Sequence, residues 1–208
     1  MLKRTPELQN FLSTLHQAVK LQAADSPQVQ AVTGRIMDAL EAPEPVSGQL
    51  PRSLPVCTLI DEVCDELSVA AGKRDLPTSI DGSVARHAQA MQALTQSLVW
   101  WRRPNADSAN EPFASGHANA MLVGPRGLEQ RSDVWVGVTV MAPNIEYPVH
   151  RHAPEEVYLV LSEGQWLQGE SEWQEPGIGG VVHNPSNVLH AMRSGAGPLL
   201  ATWCLWAG

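Results

Sequence analysis

Between Tyr147 and Tyr158 this chain places two histidines, two glutamates and its only two tyrosines. His150 and His152 are two apart, so in extended chain they share a face. If 156–161 is a strand, Glu156, Tyr158 and Val160 point one way and Val157, Leu159 and Leu161 the other. The segment can therefore aim two imidazoles, a carboxylate and a phenol into one cavity. Such a set suits a divalent transition metal: imidazole suits zinc, iron and nickel, and carboxylate oxygen also suits manganese. An isolated pair of histidines is more often a loop feature than a ligand pair. Here a second stretch adds weight. From Gly179 the chain reads Gly-Gly-Val-Val-His-Asn-Pro-Ser-Asn-Val-Leu-His. Its Pro185-Ser186-Asn187 turn, with Asn able to adopt the left-handed conformation, leads into a strand carrying His190. That strand can supply a further ligand.

These residues must be positioned by two unlike halves. Residues 1–104 read as an N-terminal helical region and 105–208 as a barrel. Thr5 can cap a helix with Pro6 at its first position, followed by Leu8, Phe11, Leu12, Leu15 and Val19 at helical spacing. Ser26-Pro27 repeats the signal before Val29, Val32, Ile36 and Leu40. The Pro-rich stretch 42–55 is a connection. Ile60, Val63, Cys64 and Leu67 form a third stripe, with Cys57 on the same helix face. Val84, Met91, Leu94 and Leu98 form a fourth, starting near Asp81 or Ser83. Trp100 to Pro104 closes the helical part; Arg102 and Arg103 could bind a carboxylate, but two basic residues at a helix end more often oppose its dipole. The polar run 105–115 is a linker or surface loop. From His117 onward strands are expected near 121–123, 133–140, 156–161, 165–168, 181–183, 188–193 and 199–206. Short strands at this spacing indicate an all-β barrel or jelly roll.

The remaining histidines take plainer readings. His16 and His87 are solvated or helix-packing, and His117 is a loop residue. His183 lies closest to the cluster without joining it. Gly177 to Gly180 lacks the strand-to-helix context of a phosphate loop. With 43% apolar residues the chain can bury a sizeable core, and a formal net charge of −8 argues against nucleic acid or an anionic membrane as partner. No apolar run reaches membrane-spanning length. The amphipathic N-terminus and the three cysteines, read as buried free thiols, point to a cytoplasmic location. The helices are candidates to cover a barrel edge or to form a homodimer contact.

Taken together, the two stretches resemble the two motifs of the cupin superfamily. His150, His152 and Glu156 match the first, and Gly179, Pro185 and His190 the second. Three positions depart from the pattern: Gly164 comes one residue late, Asn187 stands for a glycine, and Ser194 for an asparagine. The resemblance covers roughly residues 115 to 208 and implies an all-β cupin barrel (jelly roll) preceded by the α-helical region. Within the superfamily the chain is similar to the lyases that cleave dimethylsulfoniopropionate, the DddQ type especially, which share a helical N-terminal part and tyrosines at the positions of Tyr147 and Tyr158. This resemblance implies one divalent ion (zinc, iron, manganese, cobalt or nickel) held by His150, His152, Glu156 and His190. In such lyases the position of His150 is the less constant ligand, and that of Tyr158 can take a metal position.

The resemblance also implies β-elimination, in which a base removes the proton α to the substrate carboxylate and dimethyl sulfide leaves from the β carbon. A free tyrosine has a pKa of about 10, which a nearby cation lowers. Tyr158 is placed for the base, and Tyr147 to orient substrate, to act as its partner or to be the base itself. A tryptophan face attracts a sulfonium as it does a quaternary ammonium. Trp203, Trp206 and Trp135 are the candidates. Other classes stay open: an iron dioxygenase with the same ligands, a sugar isomerase, or a non-catalytic small-molecule-binding cupin. A regulatory cupin would usually bring a basic recognition helix, and none is visible.

Overall fold

The computed structural model describes residues 3–73, 82–104 and 111–208. Helix α1 (Pro6–Gln22) begins where expected, with Thr5 Oγ1 accepting from the Leu8 N–H at 3.3 Å. Helix α2 (Pro27–Leu40) has Pro27 at its first position, though Ser26 makes no side-chain cap bond. Helices α3 (Leu59–Lys73) and α4 (Ser83–Gln92) follow. All four expected apolar stripes are buried. Leu94 and Leu98 are buried beyond the end of α4, around a short 3-10 turn at Thr95–Ser97. Asp81 lies outside the described residues. All three cysteines are free and buried. Cys57 sits in a 3-10 turn, Pro55–Thr58, ahead of α3, so it does not share a helix with Cys64.

The sequence expectation needs three corrections. Trp100–Trp101 is not a helix end but strand β1, antiparallel to β2 (His117–Val123) with Trp101 opposite Asn119. Bulky aromatics suit the pleated, half-buried surface. Arg102 and Arg103 therefore follow a strand, and no helix dipole is there for them to oppose. The expected linker 105–115 contains a short helix, α5 (Glu111–Gly116), which buries Phe113 and Ala114; residues 105–110 lie outside the described residues. Finally, Glu146–His150 is a strand, β4, that the alternation did not mark. Pro148 masks it. Proline is tolerated there because β4 is the edge of its sheet.

The barrel is built from antiparallel strands in two sheets. One has the order β1-β2-β3-β9-β5-β7, with β3 (Val134–Met141), β9 (Leu199–Trp206), β5 (Glu155–Val160) and β7 (Val181–Asn184). The other runs β4-β8-β6, with β8 (His190–Arg193) and β6 (Gln165–Gln168). The larger sheet is covered on both faces. Its outer face, including Val136, Val138, Val157, Leu159, Leu200 and Cys204, shares one apolar cluster with the helices. Its inner face, including Tyr158, Val160, Ala201, Trp203 and Leu205, meets Tyr147, Trp166 and Met192 of the smaller sheet. This explains why β3 reads as a nearly unbroken apolar run with every residue but Trp135 buried. The turn before β8 is made as expected: Asn187 has φ +61°, in the left-handed region. Ser194, at the position of the departed asparagine, accepts from the Ile145 N–H at 2.8 Å and donates to the Ala142 carbonyl at 2.7 Å. It ties the end of β8 to the entry of β4.

Candidate active site

Two strand registers assemble the site. In β4 and β8, His150 lies opposite His190. In β5 and β7, Glu156 lies opposite Asn184. His152 comes from the loop between β4 and β5. The His150 and His190 rings are 4.2 Å apart by centroid, and those of His152 and His190 4.9 Å. One nitrogen from each of the three histidines lies within 4.8 Å of the others.

The tautomers follow from the backbone. Each Nδ1 faces a carbonyl oxygen: Pro148 at 2.9 Å from His150, Pro154 at 2.9 Å from His152, and Val188 at 3.0 Å from His190. A carbonyl only accepts, so each Nδ1 carries a proton, and in the neutral ring Nε2 keeps the lone pair. Glu156 Oε2 lies 3.3 Å from His152 Nε2 and 3.5 Å from His190 Nε2. Asn184 Nδ2 donates to the same oxygen at 2.9 Å. His190 Nε2 is buried with no hydrogen-bond partner. A buried ring nitrogen left bare, beside two others and a carboxylate, fits a metal ion in type and orientation. The Nδ1–H to carbonyl bonds are the supports that orient histidine ligands.

Burial and charge set the protonation states. Burial, helped by the neighbouring His190, lowers the His150 pKa to about 4. Burial also lowers that of His190. Burial works against the His152 imidazolium too, but the hydrogen bond and charge of Glu156 outweigh it and leave the pKa raised. For Glu156, burial favours the neutral acid. His152, His190 and Asn184 overcome it, and the carboxyl stays below its usual range.

His150, His152 and Glu156 line a pocket of about 270 Å³ that also holds Tyr147, Tyr158, Trp135 and Trp203. Burial, then the Glu156 charge, pushes the Tyr158 hydroxyl well above its ordinary pKa. Burial also raises Tyr147, while Arg103 and Asn119 pull it the other way. A larger cleft of about 380 Å³ between α3 and the barrel holds no histidine, so volume alone does not mark the site.

Two sequence expectations fail here for the same reason. Trp206 does not line the pocket; it packs against the helix-side cluster beneath the Arg35 guanidinium. It lies three residues from Trp203, and an odd step in a strand reverses the face. His183, expected nearest to the cluster, pairs in register with Val157 on the outer face, and its Nε2 meets Glu155 Oε1 at 2.8 Å. The neighbouring Asn184 takes the inward place.

His117 is not a loop residue. It opens β2, is fully buried and stacks on Phe113 at 3.8 Å. His87 is a packing histidine, as expected, while His16 is exposed. Sequence reasoning missed Asn184, Trp101, Asn119 and Thr139 and passed over Arg103, all of which serve the pocket or its ligands. Thr139 Oγ1 donates to Asn119 Oδ1 at 2.6 Å and accepts from Trp203 Nε1 at 3.1 Å. Asn184 was findable, since it stands opposite Glu156 once β5 and β7 are paired.

A double-layered antiparallel barrel with three converging imidazoles and a glutamate on one flank is a cupin with a metal-competent site. The chain belongs to the dimethylsulfoniopropionate lyase family, whose family model matches residues 28–201. Over 97 residues it is 31% identical to the dimethylsulfoniopropionate lyase DddQ of Ruegeria pomeroyi, a match covering 46% of this chain and 48% of that protein. This chain thus aligns with about half the length of that relative. The crystal structure of the R. pomeroyi DddQ superposes with a TM-score of 0.70 at 25% identity, covering 98% of this chain and 92% of that one. A crystal structure reported with the DMSP lyases RdDddP and RnDddQII shares the fold, with a TM-score of 0.67 at 19% identity over 96% of this chain and 92% of that one. Among the described residues no helix is long and apolar enough to cross a membrane.

Proposed function

We propose that this protein cleaves dimethylsulfoniopropionate to dimethyl sulfide and acrylate by metal-assisted β-elimination. The barrel, strands β1 to β9, does the chemistry, and helices α1 to α4 back its larger sheet. The observation that carries this reading is the convergence of three imidazole nitrogens, one of them buried without a partner, and a carboxylate beside a small pocket that holds two buried phenols. The family and its named relatives support the substrate.

His150, His152, Glu156 and His190 would hold the ion, of zinc, iron, manganese, cobalt or nickel. Bound there, it supplies positive charge that offsets both the charge developing beside the substrate carboxylate and that of a buried phenolate. Tyr158 takes the α proton. The C–H electron pair becomes the new C=C bond, and the C–S pair departs with dimethyl sulfide. The phenol then returns its proton to water. Tyr147 orients the substrate or shares the base role. The faces of Trp203 and Trp135 receive the sulfonium end. The raised Tyr158 pKa explains why this base requires a cation: burial and Glu156 both favour the neutral phenol.

The test is headspace dimethyl sulfide from protein loaded with each candidate metal, a chelated sample and Tyr158→Phe. We expect release that chelation abolishes and Tyr158→Phe lowers by at least about 100-fold, in the range of a lost general base. Release that survives Tyr158→Phe moves the base to Tyr147. No release with any candidate metal ends the lyase reading.

A further inference from the structure

We propose that Arg103 is the anchor for the substrate carboxylate, held in place by a neutral His117. The inference rests on the lyase reading only for the identity of the substrate; the site it describes takes any short carboxylate.

Arg103 lies two residues beyond strand β1, and the guanidinium enters the pocket beside Tyr147, 5.4 Å from the ring centroid. Its Nη1 is buried and has no hydrogen-bond partner. An unpaired guanidinium N–H shielded from water is costly, and in native structures such a donor calls for a partner. The partner that fits a planar cationic fork is a carboxylate or a phosphate. A pocket that also holds the Glu156 carboxylate suits a singly charged carboxylate better than a doubly charged phosphate. Glu156 is the carboxylate of the pocket, and its Oε2 is already engaged by Asn184. The Arg103 side chain also hydrogen-bonds Tyr147, so the pocket offers one unmatched guanidinium N–H at one side and tryptophan faces at another. This is complementary to a small zwitterion with an anionic and an onium end.

The backbone beneath Arg103 is fixed. Its N–H donates to His117 Nε2 at 2.8 Å. The opposite nitrogen, Nδ1, faces the Phe113 carbonyl, so that nitrogen carries the proton and the ring is neutral. Phe113 stacks on His117 and meets the Tyr147 ring edge-on at 4.8 Å. Helix α5, His117, Arg103 and Tyr147 therefore form one connected support. Burial, helped by the Arg102 and Arg103 charges and opposed by the Phe113 carbonyl, leaves the His117 pKa lowered, in keeping with a ring that accepts from a backbone N–H.

Propionate, a carboxylate without a leaving group, is the probe. Its binding to metal-loaded protein is read by tryptophan fluorescence, with Trp101, Trp135 and Trp203 as reporters. Arg103→Gln should weaken it on the order of 30-fold, which is ~2 kcal/mol. Arg102→Gln, on the exposed neighbour, should leave it unchanged. In the unaltered protein, propionate should protect Arg103, and not Arg102, from phenylglyoxal in peptide mass maps, which keeps the test valid if a variant fails to fold. Unchanged propionate binding in Arg103→Gln, or no protection, overturns the anchor even if dimethyl sulfide is released. Arg103-dependent propionate binding without dimethyl sulfide release supports the anchor and removes the lyase reading instead.

Discussion

His87 and His190 are both buried, and they are buried in opposite senses. His87 sits between helix α1 and strand β9 with both nitrogens engaged, Nδ1 by Thr14 at 3.2 Å and Nε2 by Thr202 at 2.9 Å. Its ring packs on Phe11, and burial lowers its pKa to about 3. His190 has one nitrogen engaged and the other bare. Burial by itself therefore does not mark a working histidine. A lone pair that folding leaves without a partner does, because the chain bears that cost only where something else completes it. His117 belongs with His87: buried, neutral, fully engaged and structural. The two faces of the larger sheet make the same contrast. Thr202 turns out to close on His87, and Trp203, the next residue, turns in to wall the pocket.

The contrast can be broken most sharply at its ends. His190→Ala should lower affinity for the bound metal by well over about 100-fold, beyond the 10–100-fold typical of supporting residues. Elemental analysis and competition with a chelator measure this, and retention of stoichiometric metal would refute the site. Asn184→Ala, which frees the Glu156 oxygen it holds, should cost about 10–100-fold in the same competition.

His87→Ala should behave differently. It should cost about 2–3 kcal/mol in urea unfolding, from the cavity and the orphaned Thr202 hydroxyl, with metal content unchanged. Loss of metal in a folded His87→Ala protein would erase the difference between the two histidines. The same residue sets a pH dependence. The unfolded chain protonates His87 near its ordinary value of 6.5, and the folded chain only near 3. Stability is therefore fully present above pH ~6.5 and falls as pH drops toward about 3, since the unfolded state binds the proton first. Urea midpoints at pH 7 and pH 5 should show the fall, and His87→Gln should flatten it. The smallest effect expected is at the tryptophans. Trp203→Phe should weaken trimethylsulfonium binding by about 2- to 5-fold, the range of an exposed cation–π contact, and Trp206→Phe should not change it.

Much of the site was legible because it is local. His150, His152, Glu156 and Tyr158 sit in one short stretch whose alternation gives their facing directly, and Asn187 announces the turn that delivers His190. The helices were legible through their apolar stripes and Pro caps. Strand β4 was hidden by Pro148, and helix α5 by its polar approach. Both are short elements whose existence depends on neighbours: an edge position for β4, and a buried seat for Phe113 in α5. Trp206 was misplaced by ignoring the parity of the strand, and His183 yielded its place to Asn184 for the same reason.

What the sequence determined by itself is the pair of motifs, their turn chemistry and the split between helical and strand-forming halves, because each depends on residues close along the chain. Only the tertiary structure decided that His117 is locked and neutral, that His87 is satisfied while His190 is not, and that Arg103 enters the pocket with its Nη1 unpaired. Those facts depend on which donors and acceptors meet across Arg103 and His117, His87 and Thr202, or Glu156 and Asn184. Such meetings are set by strand register and by the docking of helices on the sheet.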